Sequence, residues 1–289
     1  ALTGGSLTFS PANYGALGTV LADGAGSVVH LQGGGTTSLT TAGLASASAT
    51  NGGTISLEST LNNTGATLNA APYAGGTLLL KGATVSGGNV TSSGSLDFQN
   101  SNALNNVSLD GGLSLGTATV NIGGTFAHGA GAAFSAGANG ALNFTSNYTF
   151  DNASFNATSA SSNGFLNNAS GTTLTLGTGF DATGVDVYFN GSGSLVNNAS
   201  LVSKLGGGWY FEDGQGATNG AAGLIEADGT VSGSSFTIGS ASFANAGTVE
   251  AVHGGAINIG STSLSGTGTM EALTGGSLTF SPANYGALG

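Results

Sequence analysis

The sequence predicts an all-β protein, a right-handed parallel β-helix (β-solenoid) with rungs of about 21 residues and no helical domain. Three observations predict it. First, Gly247-Thr248-Val249-Glu250-Ala251 recurs 21 positions later as Gly268-Thr269-Met270-Glu271-Ala272. Each copy is followed by a glycine pair (Gly254-Gly255, Gly275-Gly276) and then by an apolar-x-apolar triplet (Ile257–Ile259, Leu278–Phe280). Second, such triplets punctuate the whole chain, and alternation of period two is the signature of a strand with one buried face. Third, no ten-residue stretch places apolar residues at i, i+3, i+4 and i+7, so helix is not expected.

Taken in order, the triplets are Leu7–Phe9, Val29–Leu31, Ile55–Leu57, Leu78–Leu80, Leu96–Phe98, Leu113–Leu115, Leu142–Phe144, Leu174–Leu176, Val187–Phe189, Trp209–Phe211 and Phe236–Ile238, followed by the two above. Gly, Asn and Ser between them supply turns. Stacked at about 4.8 Å per rung, about twelve or thirteen rungs make a rod roughly 60 Å long. Burial of the inward Leu, Ile, Val and Phe columns offsets the entropy of ordering so much glycine. The gaps from Leu115 to Leu142 and from Phe144 to Leu174 are read as long rungs or loops. A second column is expected from Asn pairs after an aliphatic residue: Asn62-Asn63, Asn105-Asn106, Asn167-Asn168 and Asn197-Asn198, with Asn245 as a looser relative. Stacked Asn side chains can hydrogen-bond from rung to rung.

The chain has 289 residues, with 55 Gly, 3 Pro and no Cys. Lys81 and Lys204 are its only basic residues against 13 acidic ones, a net charge of −11. Without arginine it lacks the counter-charges for phosphate, so nucleic acid is excluded as a partner and phosphoryl transfer is disfavoured. Disulfides and Cys-ligated metals are impossible. The scarcity of proline and the regularly spaced aliphatic triplets argue against disorder. No run of about 18 apolar residues exists, so the chain is not expected to span a membrane. It opens Ala-Leu-Thr-Gly-Gly and its single methionine is Met270. No signal peptide is therefore read, and a mature protein or an excised fragment is expected.

A longer repeat encloses the short one. Residues 1–18, ALTGGSLTFSPANYGALG, recur unchanged as 272–289. The short period runs across that boundary, because Gly289 is the copy of Gly18, after which the first copy continues Thr19-Val20-Leu21-Ala22. Residues 1–271 are accordingly read as one solenoid module and 272–289 as the start of the next. Duplication of the end segment alone is the other reading. Neighbouring identical modules, end to end, are the expected partners, with lateral association into fibres allowed by the sparse surface charge.

Segments such as ANAGTVEAVHGGAINI after Phe243 and SGTGTMEALTGGSLTF after Leu264 resemble the repeats of bacterial β-helical surface proteins, the autotransporter passengers and filamentous-haemagglutinin-like adhesins. The resemblance implies secretion to the cell surface or beyond it, a rod-shaped passenger, and a role in adhesion, biofilm or surface fibres.

The sequence offers little for catalysis, and no enzyme activity is expected. It has no phosphate-binding P-loop and no H-E-x-x-H. His30, His128 and His253 are scattered and read as turn or surface residues. No cofactor is implied. In Trp209-Tyr210-Phe211-Glu212-Asp213 an aromatic beside two carboxylates could stack on a sugar, making Trp209, Tyr210, Glu212 and Asp213 the ligand-binding candidates. The structural alternative packs Trp209 and Phe211 inward and leaves Tyr210 outward. Recognition loops, if present, are placed in 116–141, 145–173 and 212–222. Glu226, Glu250 and Glu271 all precede alanine. If stacked, they repel, and a cation such as calcium could relieve them, although solvated glutamates need no ion. Sequons such as those at Asn143, Asn147, Asn152 and Asn156 matter only where the source organism glycosylates.

Overall fold

The computed structural model describes residues 1–33, 38–73, 75–92, 96–158 and 163–288. The chain is all-β, 56% strand and 3% helix, and winds as parallel stacked coils into a β-solenoid of about 12 turns with rungs of roughly 22 residues. It divides into two compact units, Ala1–Ala132 and Ala133–Gly289.

In the first unit one sheet stacks Ser6–Phe9, Val28–Leu31, Thr54–Leu57, Thr77–Lys81 and Leu96–Gln99 in parallel. Register makes the triplets into columns. Val29, Ile55 and Leu78 align, as do Leu31, Leu57 and Leu80, and all six are fully buried. A second sheet aligns Leu39, Leu61, Val85, Leu104 and Ile122. A third aligns Leu68, Val90 and Leu109, and His128 follows in the same column. Each fully buried aliphatic side chain contributes about 1.5–3 kcal/mol.

In the second unit the corresponding columns carry rings. Trp209, Phe236 and Ile257 align, and so do Leu166, Phe189, Phe211, Ile238 and Ile259. Phe211 meets Phe189 and Phe236 edge-on at centroid distances of 5.3 and 5.0 Å, the favoured geometry for ring quadrupoles. The indole N–H of Trp209 donates to the Gly184 carbonyl at 3.1 Å. The glycine pairs are corners. Gly254 and Gly275 have φ of 86° and 79°, in the left-handed region. A Cβ on Gly255 or Gly276 would run into the carbonyls of Ala227 and Ala251 one rung below.

Three expectations are corrected, and a fourth, the Asn column, is borne out in part. One helical turn, Thr41–Leu44, does occur, capped by Thr40 Oγ1 accepting from Gly43 N at 3.1 Å, and a 3₁₀ turn spans Ala71–Tyr73. The long gaps hold regular strands rather than long rungs: Thr119–Gly123, Ala132–Ala136, Tyr148–Phe150, Ala153–Ala157 and Gly164–Asn168. Stretch 212–222 likewise contains Gly216–Asn219, so long recognition loops are not found there; residues 159–162 lie outside the described residues. The expected Asn column holds in part: Asn197 and Asn245 belong to a row that runs through Asn219, all fully buried, and Asn167 Nδ2 donates to Asn143 Oδ1 one rung away at 2.7 Å. Asn197 Nδ2 donates to Asn219 Oδ1 at 2.9 Å, and Asn219 Nδ2 to Asn245 Oδ1 at 2.8 Å. Asn63 and Asn168 instead bond backbone carbonyls of the next rung, and Asn106 is a left-handed turn residue with φ of 56°.

Candidate functional site

The two copies of the 18-residue segment are the first candidate. In residues 1–18, pairing runs only to higher-numbered chain. Leu2 bridges Asp23, and Ser6–Phe9 pairs with Val28–Leu31. Tyr14, 7% exposed, donates its hydroxyl to the Gln32 carbonyl at 2.5 Å. The described residues 272–288 pair with lower-numbered chain. Ser277–Phe280 pairs with Ala256–Ile259, and Asn284–Leu288 with Ser263–Gly266. Tyr285, the copy of Tyr14, is 57% exposed.

The corner and flanking hydrogen bonds of the two copies draw on different backbone groups. The second copy donates downward from the N–H of Leu273, Ser277 and Ser281 to Ala251, Gly255 and Ile259. The first copy donates from Thr3 N–H to Asp23 and accepts at Ala1, Gly5 and Phe9 from Asp23, Val28 and Gln32. These inter-rung bonds use different groups in the two copies, but the copies differ in backbone: Thr274 has φ of 49°, which its counterpart Thr3 does not share, and Asn284–Leu288 is a strand where 13–17 is not. Successive backbone groups of a solenoid strand alternate between the rung above and the rung below, as in any parallel sheet.

The second candidate is the outward face around Tyr210. Phe165, Tyr188 and Tyr210 share register, with Asn143, Asn167, Asn190 and Glu212 aligned two residues along the strand. Tyr188 and Tyr210 stack at 4.2 Å with planes 11° apart, and Phe165 lies 5.1 Å from Tyr188. Burial, and then the neighbouring Tyr210, push the Tyr188 hydroxyl up to about 12. Tyr210 and Glu212 face outward as expected. Trp209 packs inward, as the core-packing reading has it, and Asp213 as a ligand contact is a correction. Both are 2% exposed and point inward, so neither meets a ligand on this face. Asp213 Oδ2 is buried without a hydrogen-bond partner, and burial raises this carboxyl to about 7 against the bond with Asn168.

Glu226, Glu250 and Glu271 do stand in register. Burial and then a hydrogen bond with Glu250 raise the Glu226 carboxyl. Asp228 lies beside them and pairs with His253 Nδ1 at 3.0 Å. Among the described residues no three acidic or histidine groups converge to hold a metal ion.

Sequence reasoning missed a fourth cluster, in the first unit. Glu58 Oε1 lies 2.6 Å from His30 Nδ1 and accepts from Ser56 at 2.7 Å, while Oε2 accepts from Gln32 at 2.7 Å. Lys81 Nζ is 3.7 Å away. Burial acts to raise this carboxyl, but the bonds from His30, Ser56 and Gln32 and the Lys81 charge outweigh it and hold it at about 2. His30 and Lys81 flank the coil that carries Glu58, which rung alignment of the triplets could have revealed.

Compared with protein-family models, curated proteins and solved structures, the chain matches none.

Proposed function

We propose that the chain is a structural module of an extracellular or cell-surface fibre or stalk, joined end to end with identical modules and serving surface attachment or a biofilm matrix. The observation that carries this reading is the duplicated segment: residues 1–18 recur unchanged as 272–289, and the short rung period runs across that boundary. Stiffness follows from parallel hydrogen bonding that continues from coil to coil, and solenoids otherwise need polar caps on their end rungs. The resemblance to autotransporter passengers and haemagglutinin-like adhesins supports a surface location. Electron microscopy of chains carrying several modules tests the reading. Unbroken rods with an axial repeat of one module are expected, and separate beads would overturn it.

A second reading has a specific observation behind it. The Phe165–Tyr188–Tyr210 row beside Asn143, Asn167 and Asn190 presents aromatic and amide groups at rung spacing, as a glycan-binding adhesin would. The rings, however, stack on one another, so their faces are largely occupied by neighbours rather than open to a sugar. Glycan-array binding lost on Tyr210→Ala would favour the adhesin.

A further inference from the structure

Inside the first unit the regular ladder breaks at one place. Ala47–Thr50 pairs only with Val20–Asp23, and Thr67–Asn69 in the following coil pairs only with Asn89–Thr91. The helical turn Thr41–Leu44 and the 3₁₀ turn Ala71–Tyr73 stand at this gap. A cavity of about 130 Å³ lies between them. Its buried walls are Leu44, Ala47, Leu68 and Tyr73, and the exposed Ala45 lines it as well.

Polar groups at this cavity lack partners. Tyr73 is 3% exposed, yet its hydroxyl makes no hydrogen bond among the described residues, and burial alone pushes it up to about 12. The edge of Thr67–Asn69 supplies the others. The Ala66 carbonyl accepts from Asn89 N–H, and Ala70 N–H donates to the Thr91 carbonyl, both in the next coil. Backbone groups alternate along a parallel strand, so those of Thr67 and Asn69 turn the other way, toward the helical turn, where no strand pairs with them.

We propose that this cavity binds a small, largely apolar molecule, a single-ring compound carrying one oxygen that pairs with the Tyr73 hydroxyl. Size and lining define the class. Cavities of about 150 Å³ walled by aliphatic and aromatic side chains take up benzene. Leu44, Ala47, Leu68 and the Tyr73 ring make such walls, and the hydroxyl adds a place for one oxygen. A charged ligand does not fit, because no acidic or basic residue lines the cavity and a buried charge needs a partner. A sugar ring would set most of its hydroxyls against leucine. The site lies within one unit, so it is independent of how modules join.

The full-length chain is titrated with phenol and with benzene, followed by ligand-observed NMR and calorimetry. Saturable one-to-one binding of both is expected, with phenol about three- to tenfold tighter, the worth of one hydrogen bond. Tyr73→Phe is expected to remove that preference and to keep benzene binding. Ala45→Phe, a change at an exposed position, is expected to fill the cavity from its rim and abolish binding of both, with an unchanged circular dichroism spectrum. No saturable binding of either probe would overturn the proposal. Binding that survives Ala45→Phe would place the ligand elsewhere and overturn it too, as would an undiminished preference for phenol in Tyr73→Phe. Should Tyr73→Phe fail to fold, the Ala45→Phe comparison decides.

Discussion

In the first unit the inward columns are mainly aliphatic, with Phe98 closing the column of Leu31, Leu57 and Leu80 and the amides of Asn63 and Asn102 also buried, and the carboxylate of Glu58 is bonded by His30, Ser56 and Gln32. In the second unit the inward columns take Trp209, Phe189, Phe211 and Phe236, the amides of Asn197, Asn219 and Asn245, and the carboxyl of Asp213. The difference teaches that a solenoid interior tolerates polar groups when each rung supplies the partner for the next. The Asn row meets that condition and Asp213 does not, since one of its oxygens has no partner. The same rule separates Glu58, surrounded by donors, from Glu226, which faces Glu250.

The comparison can be broken or sharpened by substitution. Phe211→Ala leaves a cavity between two edge-on rings, and chemical denaturation is expected to show a loss of about 3–5 kcal/mol. Leu80→Ala in the first unit is expected at about 2–5 kcal/mol, and a clearly larger loss there than at Phe211 would contradict the weight given to the rings.

Asp213→Asn tests the unpartnered carboxyl. Its carboxyl rises from 3.8 to about 7 on folding, so the folded chain holds the proton more tightly between those values. Stability is therefore fully present below pH 4 and lost as pH rises through about 7. Asn keeps the shape without that loss, so the variant is expected to gain up to about 4 kcal/mol over the parent at pH 8. At pH 3.5 little difference is expected. A gain that did not grow with pH would remove the argument.

Glu58→Gln works in the opposite window. Its carboxyl falls from 4.5 to about 2 on folding, so its contribution is present above pH 4.5 and lost as pH falls through about 2. After allowance for solvent screening, the variant is expected to lose about 1–2 kcal/mol at pH 7 and nothing near pH 2. Glu226→Gln is the smallest effect, a gain of a few tenths of a kcal/mol at low salt that fades as ionic strength rises. A thermal melt series in salt measures it.

Much of this was legible in the sequence. The apolar triplets gave the inward columns because period two fixes which side chains share a face. The Gly-Gly pairs marked corners because only glycine fits both the left-handed turn and the close carbonyl behind it. The Asn row was legible at Asn197 and Asn245 but not at Asn219, because its members sit in unlike contexts, Val196-Asn197, Thr218-Asn219 and Ala244-Asn245, on rungs of unequal length. Ala132–Ala136 escaped because Ala and Ser weaken the apolar signal, whereas Thr119–Gly123 carries a legible triplet, Val120–Ile122. Asp213 is the most instructive case. Counting alternation from Trp209 puts it inward, whereas its charge argues for the surface, and here the backbone parity prevails at the expense of the carboxyl.

Hydrogen exchange on a covalent two-module chain, residues 1–271 followed by 1–289, tests the central claim most directly. The internal copy of Ser-Leu-Thr-Phe is predicted to be protected as strongly as the rungs on either side, with both edges paired. Exchange as rapid as in the copies at the two chain ends would contradict the shared rung and, with it, the fibre.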